Sequence, residues 1–145
     1  MQTSFKTLAF SVAAATLFAA GSASAERPAN LAGSTWTLQT NRDAVQLVIT
    51  AQGGPGAPGA ATCRSIFADL GNVAHIDGWY CPATGRIHFV HKNKGSGNAV
   101  RVFTGNVSDD VIGQTLYMAG TMTVLDAAFG DLGEYNFSAT RPRSR

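Results

Sequence analysis

From residue 34 onward the chain alternates short apolar or period-two runs with clusters of Gly, Asn, Asp and Pro, and no stretch holds helical periodicity long enough to bury one face of a helix. Eight strands are predicted: Ser34–Thr40, Ala44–Ala51, Thr62–Ala68, Val73–Cys81, Arg86–His91, Ala99–Val107, Thr115–Leu125 and Glu134–Arg141. Alternation then sorts side chains by face. In the second strand Val45, Leu47, Ile49 and Ala51 fall together. In the seventh, Leu116, Met118, Gly120, Met122 and Val124 stand opposite Tyr117, Ala119, Thr121, Thr123 and Leu125, and in the eighth Tyr135, Phe137 and Ala139 align.

The breaks have local causes. Gln52–Gly59 contains four glycines and two prolines, which are costly to order and remove ladder donors, so a mobile loop is predicted there. Pro82-Ala83-Thr84-Gly85 reads as a tight turn. Lys94–Asn98 and Ser108–Gly113 read as hairpin loops, and Ala127–Gly133 as room for one helical or 3₁₀ turn. Gly105, Ala119 and Gly120 suit a sheet that curls. Eight sequential strands with short connections predict an all-β, antiparallel up-and-down barrel, because closure removes the exposed edges. A two-sheet β-sandwich is the alternative.

The pattern before the first strand differs in kind. Lys6 precedes an apolar run from Leu8 to Ala20, and Ala23-Ser24-Ala25 follows, which is the form of a bacterial-type secretory signal cleaved after Ala25. The run falls short of the roughly 20 residues that cross a bilayer, so no membrane span is expected. Removing residues 1–25 leaves 120 residues, Glu26 to Arg145, the size of one domain, ending in a flexible tail at 142–145. That domain keeps ten Lys/Arg against nine Asp/Glu, a balance with no electrostatic pull toward nucleic acid. The expected location is therefore periplasmic or secreted.

Cys63 and Cys81 are the two cysteines, and an oxidising compartment makes them a disulfide. If residues 70–72 turn the third strand into the fourth so that Cys63 opposes Cys81, then Ser65 opposes Trp79, Phe67 opposes Asp77, and Asp69 opposes His75. The cysteines lack the spacing of a redox or zinc motif.

Candidate chemistry centres on His75, His88 and His91, with Ser65, Asp69 and Asp77 nearby on the same hairpin. His88 and His91 are three apart in a strand and point to opposite faces, which makes a poor chelate, so no metal is assigned. No nucleophile elbow or oxyanion loop accompanies Ser65, and the histidines read as surface residues rather than catalysts. Asp109-Asp110 supplies too few oxygens for calcium, and Gly53–Gly59 lacks the lysine and following helix of a phosphate loop. No cofactor is assigned.

Three stretches, Leu31-Ala32-Gly33-Ser34-Thr35-Trp36, Val102-Phe103-Thr104-Gly105-Asn106 and Ala139-Thr140-Arg141, together with the eight short strands, resemble the avidin and lipocalin group of small secreted barrels. The resemblance implies that Trp36 plugs one barrel end with Arg141 over or beside its ring. It does not extend to biotin chemistry. Leu38 stands where avidins place an asparagine, and His91-Lys92 and Met122-Thr123-Val124 stand where they place tryptophans. A non-catalytic barrel holding a small, largely apolar ligand in its mouth is the leading functional expectation, with Trp79, Tyr80, Phe89, Phe103 and Tyr117 as candidate lining. An exported protein-interaction module, inhibitor or surface antigen, is the alternative, and a hydrolase comes third.

Overall fold

In the computed structural model the described residues are 27–41, 43–55, 62–71, 74–92, 100–109, 114–126 and 128–142. They form eight strands, β1 (Ser34–Thr40), β2 (Ala44–Pro55), β3 (Arg64–Leu70), β4 (Ala74–Cys81), β5 (Arg86–Lys92), β6 (Val100–Asp109), β7 (Thr115–Asp126) and β8 (Gly130–Pro142). Each pairs antiparallel with the next, and β1 also pairs with β8, so the sheet closes into an up-and-down barrel rather than a sandwich. Residues 1–25, where a secretory signal is expected, Gly56–Gly59, Lys94–Asn98, Asp110 and Arg143–Arg145 lie outside the described residues.

Alternation places one side chain in two inside. Trp36 and Leu38 of β1, Leu47 and Ile49 of β2, Ile66 and Ala68 of β3, Ile76 and Tyr80 of β4, Ile87 and Phe89 of β5, Phe103 and Val107 of β6, Met118 and Met122 of β7, and Phe137 and Ala139 of β8 are buried together. The intervening positions, such as Thr35, Thr37, Gln46, Thr104, Asn106, Asn136 and Ser138, are exposed. This is an apolar interior under a polar skin, the reverse of the alternation in a membrane-spanning barrel. No helix among the described residues is long and apolar enough to cross a membrane.

Close approach of strands rests on glycine where the barrel bends. Gly105 and Gly120 are partners across β6 and β7, and a Cβ on either would run into the backbone of the facing strand. The space they leave is taken by the edge of Phe137, whose Cζ lies 3.0 Å from where a Gly105 Cβ would be.

Three sequence-based boundaries are corrected. β2 does not stop at Ala51 but continues to Pro55, because two register shifts absorb the glycines: Thr50 and Ala51 share Phe67, and the Gln52–Pro55 stretch then spans Ile66 to Arg64. The first shift leaves Ala51 exposed and turns Gln52 inward in its place. The expected helical turn at Ala127–Gly133 is instead a tight turn at Ala128 and Phe129, held by the Asp126 carboxylate accepting from both backbone amides, and β8 begins at Gly130. Pro142, assigned to the tail, pairs with Thr115 at the end of β8. The β3–β4 register matches the sequence expectation position by position, Ser65 opposite Trp79, Phe67 opposite Asp77 and Asp69 opposite His75. Cys63 and Cys81 are disulfide-bonded, with Cα atoms 4.0 Å apart.

Candidate functional site: the mouth opposite the N-terminal strap

The two ends of the barrel are built differently. At one end, residues 27–33 form a strap outside the strands, tied to Gln52 of β2, Tyr80 of β4 and Ala83 of the β4–β5 turn. Its backbone groups are satisfied from inside the barrel: the Gln52 side chain accepts from Leu31 N at 2.9 Å and donates to Ala29 O at 3.0 Å, and the Tyr80 hydroxyl donates to Pro28 O at 2.8 Å. Burial pushes the Tyr80 phenol up to about 12, with Arg27 opposing the rise, so it stays a donor at neutral pH. Trp36 is wholly buried, and its indole N–H donates to Ser34 Oγ at 2.8 Å. No cation–π contact between Arg141 and Trp36 is seen among the described residues, and the guanidinium over an indole is Arg86, 6.0 Å from the Trp79 ring centroid. The β1–β8 register, Thr37 with Thr140 and Leu38 with Ala139, nonetheless runs toward Trp36 and Arg141, and Arg141 lies opposite Leu116 in the β7–β8 ladder.

At the other end the inward positions are Thr40, Val45, Leu70, His91, Arg101, Val124 and Tyr135. Leu70 is buried, whereas Val45, Val124 and Tyr135 are only partly buried where they pack on the core, as are Thr40, His91 and Arg101. Beneath them Phe89 and Phe103 stack at 4.5 Å between centroids, and Phe137 meets Phe103 edge-on at 5.3 Å, so the mouth has a solid aromatic floor and is shallow. The β7–β8 hairpin at this rim leaves Phe129 81% exposed, with Leu132 and Leu125 also exposed.

The polar members of the mouth are neighbours. His91 and Arg101 are register partners across β5 and β6, and Arg101 is in turn opposite Val124. His91 Nδ1 is buried with no hydrogen-bond partner, and the imidazole is held below its ordinary range by burial and by Arg101. No carboxylate among the described residues pairs with Arg101. His91 is therefore not the surface histidine expected from its sequence, because β5 alternation turns it inward.

Of the five aromatics named as lining, Phe89 and Phe103 meet and the other three lie apart from them. Tyr80 lies at the strap end, Phe89 and Phe103 form the floor, and Trp79 and Tyr117 are on the outer face, Tyr117 well exposed. Trp79 stacks on His88 at 5.5 Å, and His88 Nδ1 is 3.1 Å from Thr104 Oγ1. Val45, Leu70, Val124, Tyr135 and Arg101 are the lining that sequence reasoning passed over. The signal was present: each lies on the core-facing parity of its strand, near the end away from Trp36.

No relay joins the catalytic candidates. His75 Nδ1 is 2.8 Å from Asp69 Oδ1, while the Ser65 hydroxyl is directed at Gly54 O. Ser65 and Asp69 are four positions apart, about 13 Å of strand. No cluster of three or more His, Cys, Asp or Glu positioned for a metal occurs among the described residues. Comparison of the chain with family models, with curated proteins and with solved structures finds no match.

Proposed function

We propose that this chain is an exported, non-catalytic barrel that binds a small, largely apolar ligand at the end opposite the strap. The observation that carries the proposal is the gradient of exposure along the barrel axis. Most inward side chains at the strap end are sealed, Leu31, Trp36, Tyr80 and Ile87 having no exposed surface while Gln52 and Arg141 are half-buried, whereas at the mouth Val45, Val124 and Tyr135 are only partly buried. An apolar concavity with a few convergent polar groups is the usual form of a small-molecule site. Exposed Phe129, Leu132 and Leu125 extend its apolar rim. The avidin- and lipocalin-like placement belongs to this proposal and rests on the Leu31–Trp36 and Val102–Asn106 stretches.

An NMR titration with 4-phenylbutan-1-ol tests binding. Saturable shifts at Val45, Leu70, Val124 and Tyr135, with Leu31 and Trp36 unmoved, are expected; shifts scattered over both ends, or none, overturn the reading. Export is tested by the intact mass of periplasmic or secreted material, which is expected to begin at Glu26.

The interaction-module reading has its own support on the outer face, where Trp79, His88 and Arg86 form one stacked group and Phe67 is half-exposed nearby on β3. Aromatic and arginine side chains of this kind dominate protein interfaces. A partner captured from exported proteins and lost on Trp79→Ala, with the mouth titration silent, would favour it.

A further inference from the structure

The mouth is not uniformly apolar: beside Thr40 and the Tyr135 hydroxyl it carries two basic side chains, Arg101 and His91. Arg101 brings a guanidinium with five donors to this mouth, half-buried and with no carboxylate partner among the described residues. Of the carboxylates at this end, Asp126 caps the Ala128 and Phe129 amides, Asp131 accepts from Gly133 N at 2.8 Å and Asp69 pairs with His75, while Asp43 and Glu134 form no ion pair with Arg101. Across the ladder from Arg101, His91 keeps a buried Nδ1 with no partner. Buried polar atoms of native proteins are nearly always satisfied, so each exception calls for an explanation such as a missing ligand.

We infer that the ligand of this mouth is a small monocarboxylic acid with an apolar body, its carboxylate held inside the rim by the Arg101 guanidinium and by a proton on His91 Nδ1. The inference rests on the mouth-binding reading given above. One anionic group serves both side chains, giving the Arg101 guanidinium a counter-charge and the buried His91 Nδ1 a partner, since carboxylate oxygens only accept and both protein groups can donate. A neutral hydroxyl leaves the guanidinium without a counter-charge. The single cation among the described mouth residues matches a singly charged head, and a phosphate monoester would bring excess charge against Leu70 and Val124. The aromatic floor of Phe89, Phe103 and Phe137 limits the body to a short chain or one ring. With an anion bound, the causes that hold His91 below its ordinary range, burial and Arg101, are partly offset.

The experiment compares 4-phenylbutyrate with 4-phenylbutan-1-ol, which share an apolar body and differ in the head group, by NMR titration of the wild type, Arg101→Gln and Arg101→Lys, with amide dispersion as the check on folding. The acid is expected to bind wild type about tenfold or more tightly than the alcohol, the strength of a charge-assisted contact in a partly dry site. In Arg101→Gln that preference disappears while alcohol binding changes less than about threefold, and Arg101→Lys retains part of it. Equal binding of acid and alcohol by wild type, or an acid preference that survives Arg101→Gln, overturns the carboxylate inference and leaves apolar binding standing. Should Arg101→Gln not fold, the wild-type ratio and Arg101→Lys still decide. Binding of neither compound overturns the mouth reading, and this inference falls with it.

Discussion

Individual side chains at the two ends of the barrel have opposite duties, and their substitution should separate stability from binding. Trp36 has no exposed surface, spends its one polar group on Ser34 and fills the space above the strap. Trp36→Ala should cost about 3–5 kcal/mol, the usual price of deleting a large buried aromatic, and appear as a much lower thermal midpoint. An unchanged midpoint would mean that the indole is not part of the core. His88 and His91 predict a pH effect whose sign follows from burial. Both imidazoles are held below their ordinary value, His88 by burial and His91 by burial and then Arg101. The unfolded chain binds protons near the ordinary value of about 6.5, whereas the native chain resists doing so until lower pH. The stability tied to these neutral imidazoles is therefore complete above about pH 6.5 and is lost as pH falls through the lowered native values. Urea midpoints measured from pH 7.5 to 5 should decline, and His91→Leu should flatten part of that decline. A flat wild-type profile would show that neither ring is desolvated in solution.

At the level of strands, the β3–β4 hairpin is held by both its ladder and the Cys63–Cys81 bond. The bond closes a loop with a sequence separation of 18, so on the chain-entropy account its removal by a paired Cys63→Ala and Cys81→Ala change should cost about 3 kcal/mol. Denaturant unfolding of oxidised wild type against the double variant measures it, and equal midpoints would remove the staple from the account. This hairpin was also the most legible element in the sequence. A short turn near Gly71, whose φ of 61° favours glycine, joins two runs of clear alternation, and the cysteine pair then fixes the register. The β2 bulges were not legible for the opposite reason. Val45, Leu47, Ile49 and Ala51 continue an unbroken alternation, and what breaks it is remote: Leu31 N and Ala29 O need the Gln52 amide turned inward. Local pattern carries no trace of that demand. For the site, parity separates Trp79 from Tyr80 and Tyr117 from Met118, and parity was therefore able to exclude two of the five proposed lining residues. Position along the barrel axis was harder to read, because it depends on which end the strap closes, and the strap carries no strand pattern.

Closure of the whole sheet leaves one interior, and how that interior is filled decides what the molecule can hold. A small eight-stranded barrel has room either for packed side chains or for one small ligand. Among the described residues Phe89, Phe103 and Phe137 occupy the middle, Trp36 and Tyr80 are fully buried toward the strap end, and the inward apolar side chains Val45, Val124 and Tyr135 are partly exposed at the opposite end. Biotin needs a deep pocket with hydrogen bonds around its ureido ring and aromatic walls for its bicycle. On the avidin-like placement proposed above, Leu38, fully buried in the core, takes the position of the ureido partner, and Met122 and Val124 take the seventh-strand positions of an indole. A urea pushed into this interior would both displace the aromatic floor and leave two or three polar groups unpaired, at roughly 1–3 kcal/mol each, which removes tight binding altogether. Titration calorimetry with biotin is expected to be flat. Submicromolar biotin affinity would require the Phe89–Phe103–Phe137 cluster to rearrange, and it would overturn the shallow mouth together with the small acidic ligand assigned to it.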